Sequence, residues 1–474
     1  MAAEVSPLAK VGGLGDVIGS LPKALADLGH EVRVIIPKYG SIDIAKHHLV
    51  PLGGSFNVLM SKLESFDLKT TTLGNGILVY LIQNGNYFGS DEIYEKDRRG
   101  ELRRFLFFSK AVCEVLPKLD WQPEIVHCHD WHAGLIPLWL KKANYPYVSL
   151  FTIHNLAHRG SFDSKFLAIS RLSEDYRHHP ADAPKPLLNF MSRGILYADL
   201  VTTVSETYAQ EILMLEYGEG LAPVLNYRRD QLIGITNGID YAEYDPATDA
   251  HIPANFDFST LDNRLANKLA LQKRANLPED IGAPLIGMVS RLTKQKGFDL
   301  VEKAIAPVFR GTRAQLVILG VGSEHYHDML RRMAAKYPEQ VAVFITFDNA
   351  LAHLTYAGCD MFLMPSRFEP CGLGQLIAMR YGAIPIVRHT GGLADTVQNL
   401  APALDKGSGF VFEAYDVEAL VAVVKRAISV FGYRQAWREA MRRIMVADFS
   451  WQVSAKKYEA AYRRLLELRK HVKK

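Results

Sequence analysis

Short, mainly apolar runs alternate along the chain with segments whose apolar residues recur every three or four positions. The apolar runs are EVRVIIP (31–37), GILVYLI (76–82), EIVHCH (124–129), VSLFTIH (148–154), LVTTVS (200–205), QLIGIT (231–236), PLIGMVS (284–290), QLVILG (315–320) and VAVFIT (341–346), then MFLMP and IPIV within 361–397. Strands that are apolar throughout and separated by helices predict parallel sheets covered on both faces, hence an α/β fold. The pattern lapses at 237–260, NGIDYAEYDPATDAHIPANFDFST, which is polar and rich in turn residues. The break predicts two α/β halves of similar size, 1–236 and 237–448. A terminal amphipathic helix over 449–474 follows, with Trp451, Tyr458 and Leu465 available for packing.

The segment 361–397, MFLMPSRFEPCGLGQLIAMRYGAIPIVRHTGGLADTV, sets two strand–loop–helix units back to back. Each loop enters its helix through small residues, Cys371-Gly372-Leu373 and then Gly391-Gly392. Helix N-termini present free N–H groups and about half a positive charge, so such turns predict seats for anions such as a diphosphate. Glu369 places a single acid in the mouth of the first loop. An anion seat beside one carboxylate predicts transfer chemistry on a nucleotide-activated substrate, with the Gly391-Gly392 turn supporting the nucleotide end.

Other strand ends add candidates. KVGGLGD (10–16) offers the Gly12 and Gly13 amides to a ligand, with Lys10 as a mobile charge for phosphate and Asp16 in the first turn of the helix that follows. Only MAAEV precedes this loop. The first strand is therefore two or three residues long, or the chain begins inside a longer natural one and the N-terminal sheet is compromised. SRLTKQKG (290–297) sends Arg291 and Lys296 from a strand end, where open α/β sheets bind ligands and two cations can neutralise a leaving diphosphate without a metal. In HCHDWH (127–132), His127 and His129 share one strand face while Asp130 and His132 lie past its end, a poor metal shell. Asp130 and Trp131 read instead as a sugar site, a carboxylate for hydroxyls and a flat ring for stacking. His154-Asn155 occupies the same kind of position after VSLFTI, where His154 can be structural or catalytic. No D-x-D triplet occurs to hold a divalent ion against a diphosphate.

Composition narrows the classes. With 474 residues, 48% hydrophobic and 22% charged, the chain has ordinary globular character, and a net charge of +4 does not suggest nucleic-acid binding. The one basic cluster, 470–474, reads as a solvated helix end. Cys113, Cys128, Cys359 and Cys371 show no C-x-x-C spacing, as expected of reduced thiols in a cytoplasmic setting. No apolar run approaches the roughly 20 residues that span a bilayer, so no membrane association is expected. Oligomeric state is not legible.

Taken together, KVGGLGD, HCHDWHAGL, FTIHN, TNGID, SRLTKQKG, PSRFEPCGLGQL and TGGLADTV resemble the bacterial glycogen synthases and plant starch synthases, in the family's order and over nearly the whole chain. The resemblance implies a GT-B fold: two Rossmann-like domains facing a cleft, with a last helix returning to the first. It implies ADP-glucose as donor, an α-1,4-glucan as acceptor, retention at the anomeric carbon and no metal or other cofactor. By position, Lys10, Gly12 and Gly13 would meet the donor from the N-terminal domain. Arg291, Lys296, Gly372 and Leu373 would hold the diphosphate, with Glu369 beside the glucose. Asp130, His154 and Asn155 would face the sugar, and Tyr87 would lie near sugar and acceptor. Phe347 falls where some relatives stack a tyrosine on adenine, and it keeps the ring without the hydroxyl. The chain lacks the long N-terminal extensions of many plant enzymes, so a plastid location would require a transit peptide already removed. Two alternatives stay open. One is a related enzyme using another nucleotide sugar, although the two-glutamate pattern of one such group is broken by Ile377, eight positions after Glu369. The other is a catalytically weak glucan-binding or priming protein.

Overall fold

The computed structural model describes residues 1–162 and 188–472, the side chains of 470–472 excepted, so the basic tail expected at 470–474 lies outside the described side chains. The chain forms two units, Met1–Asn237 with Trp451–Lys474, and Gly238–Ser450.

In the first unit, β1 (Arg33–Pro37), β2 (Val50–Pro51), β3 (Phe56–Leu59), β4 (Leu63–Thr72) and β5 (Leu78–Gln83) form a sheet in the order β1-β5-β4-β2, with β3 also on β4. Of the remaining strands, β6 (Ile125–His129), β7 (Val148–Ile153), β10 (Leu200–Thr203) and β11 (Leu232–Gly234) run parallel in the order β11-β10-β7-β6. A short antiparallel pair, β8 (Ser161–Phe162) and β9 (Leu188–Asn189), stands apart. The expectation of parallel pairing throughout fails at β4, which is antiparallel to β2, β3 and β5. Its sequence LESFDLKTTT alternates exposed and buried positions over most of its length, the signature of a strand with one wet face.

Met1 and Ala2 lie between β1 and β6. The Met1 nitrogen donates to His127 O at 2.7 Å, His129 N–H to Met1 O at 3.0 Å, and Ala2 N–H to Ile35 O at 3.2 Å. Two residues thus bridge β1 and β6, and strand order reverses there. Open α/β sheets bind ligands at such reversals. The glycine loop and the residue after β6 both issue from this point. The terminal helix, Trp451–Val472, belongs to this unit. Trp451, Tyr458 and Leu465 are buried in its core, and Ser454 Oγ donates to Thr236 O at 2.6 Å.

The second unit holds β12 (Leu285–Val289), β13 (Gln315–Leu319), β14 (Val341–Phe344), β15 (Met361–Met364), β16 (Ile384–Arg388) and β17 (Phe410–Phe412). They pair in the order β14-β13-β12-β15-β16-β17, all parallel, the doubly wound order of dinucleotide-binding sheets. Here the order reverses between β12 and β15, whose carboxyl ends carry the basic loop and the Glu369 loop.

Candidate active site

In the second unit the two loops interlock. Gly297 has φ +79°, and a Cβ there would lie 2.1 Å from Pro365 O, so only glycine lets the basic loop approach this closely. Arg367 N–H donates to Gln295 O at 2.8 Å. The contact brings Lys296 Nζ to 2.6 Å from Glu369 Oε2, which also accepts from Ser366 Oγ at 2.9 Å. Glu369 is buried, and the pair satisfies what would otherwise be an isolated charge in a poorly solvated loop. Arg291 is exposed, and among the described residues its guanidinium has no hydrogen-bond or ion-pair partner. One cation is therefore preset on the carboxylate and another is open to an incoming anion.

Gly372 has φ +76°, and a Cβ would meet Gln375 Oε1 at 2.4 Å. Among the described residues the Gly372 and Leu373 N–H groups donate no hydrogen bond, which leaves them for a ligand. The second turn behaves differently. Gly392 N–H donates to Glu369 O at 3.1 Å and Pro370 O at 3.2 Å. Added Cβ atoms would lie 2.0 Å from Glu369 O at Gly391 and 2.1 Å from Cys371 O at Gly392. This turn braces the back of the Glu369 loop. Phe347 follows β14 and is 79% exposed, with its ring available for stacking.

In the first unit, β6 is followed by Asp130, whose φ of 56° and ψ of 179° fall in a region nearly reserved for glycine. Its N–H donates to Thr152 O at 2.9 Å and its Oδ1 accepts from His154 N–H at 2.8 Å. Burial pushes the Asp130 pKa up to about 7, against hydrogen bonds from the His154 and Asn155 amides that favour the carboxylate. Burial takes His154 down to about 3, so its imidazole is neutral. His154 Nε2 lies 3.0 Å from His129 Nδ1. His127 is held by Tyr462 OH at 2.9 Å and Thr152 Oγ1 at 2.6 Å. These histidines engage one another and nearby hydroxyls. Among the described residues no group of three or more His, Cys, Asp or Glu is placed to hold a metal ion. The Asn155 side-chain oxygen accepts from Ala157 N–H at 3.0 Å, which fixes the amide's orientation and leaves its nitrogen to donate to a ligand.

Three expectations are corrected here. Trp131 is built into the core: its ring packs on His132 at 4.1 Å and Phe105 at 5.1 Å, and a Cβ on Gly160 would strike it at 2.3 Å. It offers no face for a sugar. Tyr87 is likewise buried, stacked on Phe107 at 4.1 Å with its hydroxyl on Glu64 at 3.0 Å. The Gly12 amide is already taken. Glu4 Oε2 accepts from Val11 N–H at 2.7 Å and Gly12 N–H at 3.0 Å, so the chain's own carboxylate fills that seat. Gly13 opens the helix Gly13–Asp27 and is exposed. Lys10 Nζ lies 2.5 Å from Asp16 Oδ1, so Asp16 serves the lysine, and Gly12 at the N-cap position has no side chain with which to cap the helix.

Glu4 and Tyr94 escaped sequence reasoning. Tyr94 OH donates to Glu4 Oε1, and Glu4 is close enough to Asp130 to raise its pKa. The available signal was a lone acid among small apolar residues in MAAEV. Tyr94 had none before the fold brought it there.

The chain matches the family model described as starch synthase catalytic domain over residues 1–227 and the model described as glycosyl transferases group 1 over residues 271–444. It is 44% identical over 486 residues to the glycogen synthase of Moorella thermoacetica, covering 99% of this chain and 97% of that one. It is also 44% identical over 485 residues to the glycogen synthase of Desulforudis audaxviator, covering 98% and 96%. Among solved structures, the catalytic domain of starch synthase IV from Arabidopsis thaliana, bound to ADP and acarbose, matches with a TM-score of 0.90 at 34% identity over 98% of both chains. Sucrose-phosphate synthase from Thermosynechococcus elongatus, at 18% identity and a TM-score of 0.61 over 98% of this chain and 95% of that one, shares the fold alone.

Proposed function

The chain belongs to the glycogen and starch synthase family of GT-B glycosyltransferases, and we propose that it transfers glucose from ADP-glucose to the non-reducing end of an α-1,4-glucan with retention at the anomeric carbon. The observation that carries the proposal is the Lys296–Glu369 pair beside an open Arg291, at the strand reversal of a doubly wound sheet.

Cleaving the glucose–phosphate bond builds positive charge on the sugar and negative charge on ADP. Arg291, Lys296 and the Gly372 and Leu373 amides stabilise the ADP side, and preorganised donors of this kind are worth roughly 2.7–4 kcal/mol each. In this reading the cations carry the diphosphate charge with no metal. Phe347 takes the adenine by stacking. The relative that holds ADP and acarbose supports an adenine nucleotide and an α-glucan as ligands.

The acceptor 4-OH attacks from the face the leaving group departs, and the departing phosphate takes its proton. Glu369 acts by position and charge: its Oε2 is committed to Lys296 and Ser366, which favours an electrostatic role over nucleophilic attack. Asp130, His154 and Asn155 are the sugar-facing groups of the first unit. The strained Asp130 backbone, held by two strand-end hydrogen bonds, supports a functional position for that carboxyl.

The test compares ADP-glucose with UDP-glucose on glycogen and on maltooligosaccharides, reading nucleotide release and the anomeric configuration of the new linkage. A higher kcat/KM with ADP-glucose and an α-linked product are expected. Preference for UDP-glucose would point to the alternative donor, and no nucleotide release with glycogen to a glucan-binding protein.

A further inference from the structure

Arg388 ends β16 and is only 7% exposed, yet among the described residues no carboxylate pairs with it. Its guanidinium instead gathers backbone carbonyls from two segments. Nε donates to Ser366 O at 2.9 Å, Nη2 to Arg367 O, and Nη1 to Glu413 O at 3.1 Å. Ser366 and Arg367 lie in the loop that carries Glu369, and the Ser366 hydroxyl itself donates to Glu369 Oε2 at 2.9 Å.

Tyr415 closes the other side of the guanidinium. Its ring faces Arg388 at 5.7 Å and Arg367 at 4.9 Å, and its hydroxyl donates to Asp299 Oδ1 at 2.6 Å. Asp299 sits in the first turn of the helix Phe298–Phe309, directly after the loop of Lys296. Arg388 and Tyr415 therefore reach the Lys296–Glu369 pair from both loops without themselves touching either charged group.

The Glu369 loop has no regular secondary structure to satisfy its carbonyls, and buried carbonyls require donors. A planar guanidinium can serve three carbonyls in fixed directions, whereas a lysine ammonium is a point charge on a flexible stem. A buried cation without a counter-ion is an expensive way to meet that need, and what it yields here is one geometry for the loop. We propose that Arg388 is a positioning residue for glucosyl transfer: by fixing the Ser366 and Arg367 carbonyls it holds the Glu369 carboxylate, and through it the Lys296 ammonium, in register with the reacting bond. The inference rests on the role given to Glu369 above.

The test uses R388K, which keeps the charge and loses the fork, beside E369Q and the double variant. Misplacement of about 1 Å can cost about 100-fold in rate. R388K is expected to lower kcat by about 10- to 100-fold, with the KM for ADP-glucose and the affinity for ADP changed by less than about threefold. Added to E369Q, R388K should cost no more than about a further twofold, because both changes remove one function. A kcat for R388K within about twofold of the parent, or losses that multiply fully in the double variant, would overturn the proposal. If R388K does not fold, Y415L removes the ring beneath Arg388 from a half-buried site, and the same cycle with E369Q decides by the same criteria. If E369Q alone keeps the parent kcat, the role given to Glu369 fails and this proposal with it. A slow E369Q beside an unimpaired R388K would reject Arg388 alone.

Discussion

Asp130 should make the protein less stable as the solution becomes more basic, and Asp130→Asn should remove that dependence. The carboxyl is buried, and its pKa rises from 3.8 to about 7 on folding. The unfolded chain therefore releases this proton near pH 4, while the folded chain keeps it to about pH 7. In that window the folded state binds more protons, so stability falls as pH rises. About three pKa units at about 1.36 kcal/mol each give roughly 4 kcal/mol, of which about 3 kcal/mol is lost between pH 5 and pH 8. Asparagine also changes the hydrogen bonding to the His154 and Asn155 amides, but that offset is the same at both pH values and cancels. Guanidinium unfolding followed by tryptophan fluorescence suits the measurement, because Trp121, Trp131, Trp139 and Trp451 lie in the first unit and only Trp437 in the second. The expected result is a loss from pH 5 to pH 8 that is about 3 kcal/mol larger for the parent than for D130N. Equal losses would show that the carboxyl is already ionised at pH 5, and the reasoning from burial would be refuted.

Other substitutions separate packing from chemistry. Trp131→Ala should cost about 3–5 kcal/mol of stability, as for other buried aromatics, rather than a selective rise in the KM for glucan; unfolding and acceptor kinetics together decide. Phe347→Ala should leave the melting temperature unchanged, since the side chain is exposed, while raising the KM for ADP-glucose by about 10-fold or more if stacking contributes about 1–3 kcal/mol as it does for other bases. Lys296→Met strands the buried Glu369 carboxylate, and breaking such a pair costs about 3–5 kcal/mol. A lower melting temperature together with a collapse of kcat is expected, and a stable, slow variant would show that the carboxylate finds another partner.

Much of the fold was legible because parallel strands buried on both faces leave mainly apolar runs, as in VSLFTI and PLIGMVS. The antiparallel β4 was missed although it alternates in burial, because seven of its ten residues are polar and only pairing reveals the strand. Lys296 and Glu369 could be read because both follow apolar strands, and strand ends are where open sheets bind. Trp131 and Tyr87 misled because an aromatic residue beside a polar one looks the same in sequence whether it faces ligand or core. Glu4, Tyr94 and Arg388 act through contacts spanning loops far apart in sequence, such as Tyr94 with Glu4. No local pattern encodes those contacts.

The return of Trp451–Val472 to the first unit also sets the order in which the protein can be completed. During synthesis the chain from 238 to 450 emerges whole and can close its six-stranded sheet at once. The first unit must wait, with the surface that will bury Trp451, Tyr458 and Leu465 uncovered, until the helix that carries them leaves the ribosome. Deleting Trp451–Val472 would therefore damage the half that was translated before residues 238–450. It would strike the glycine loop, whose helix Gly13–Asp27 packs on Trp451–Val472, while leaving the Glu369 loop intact.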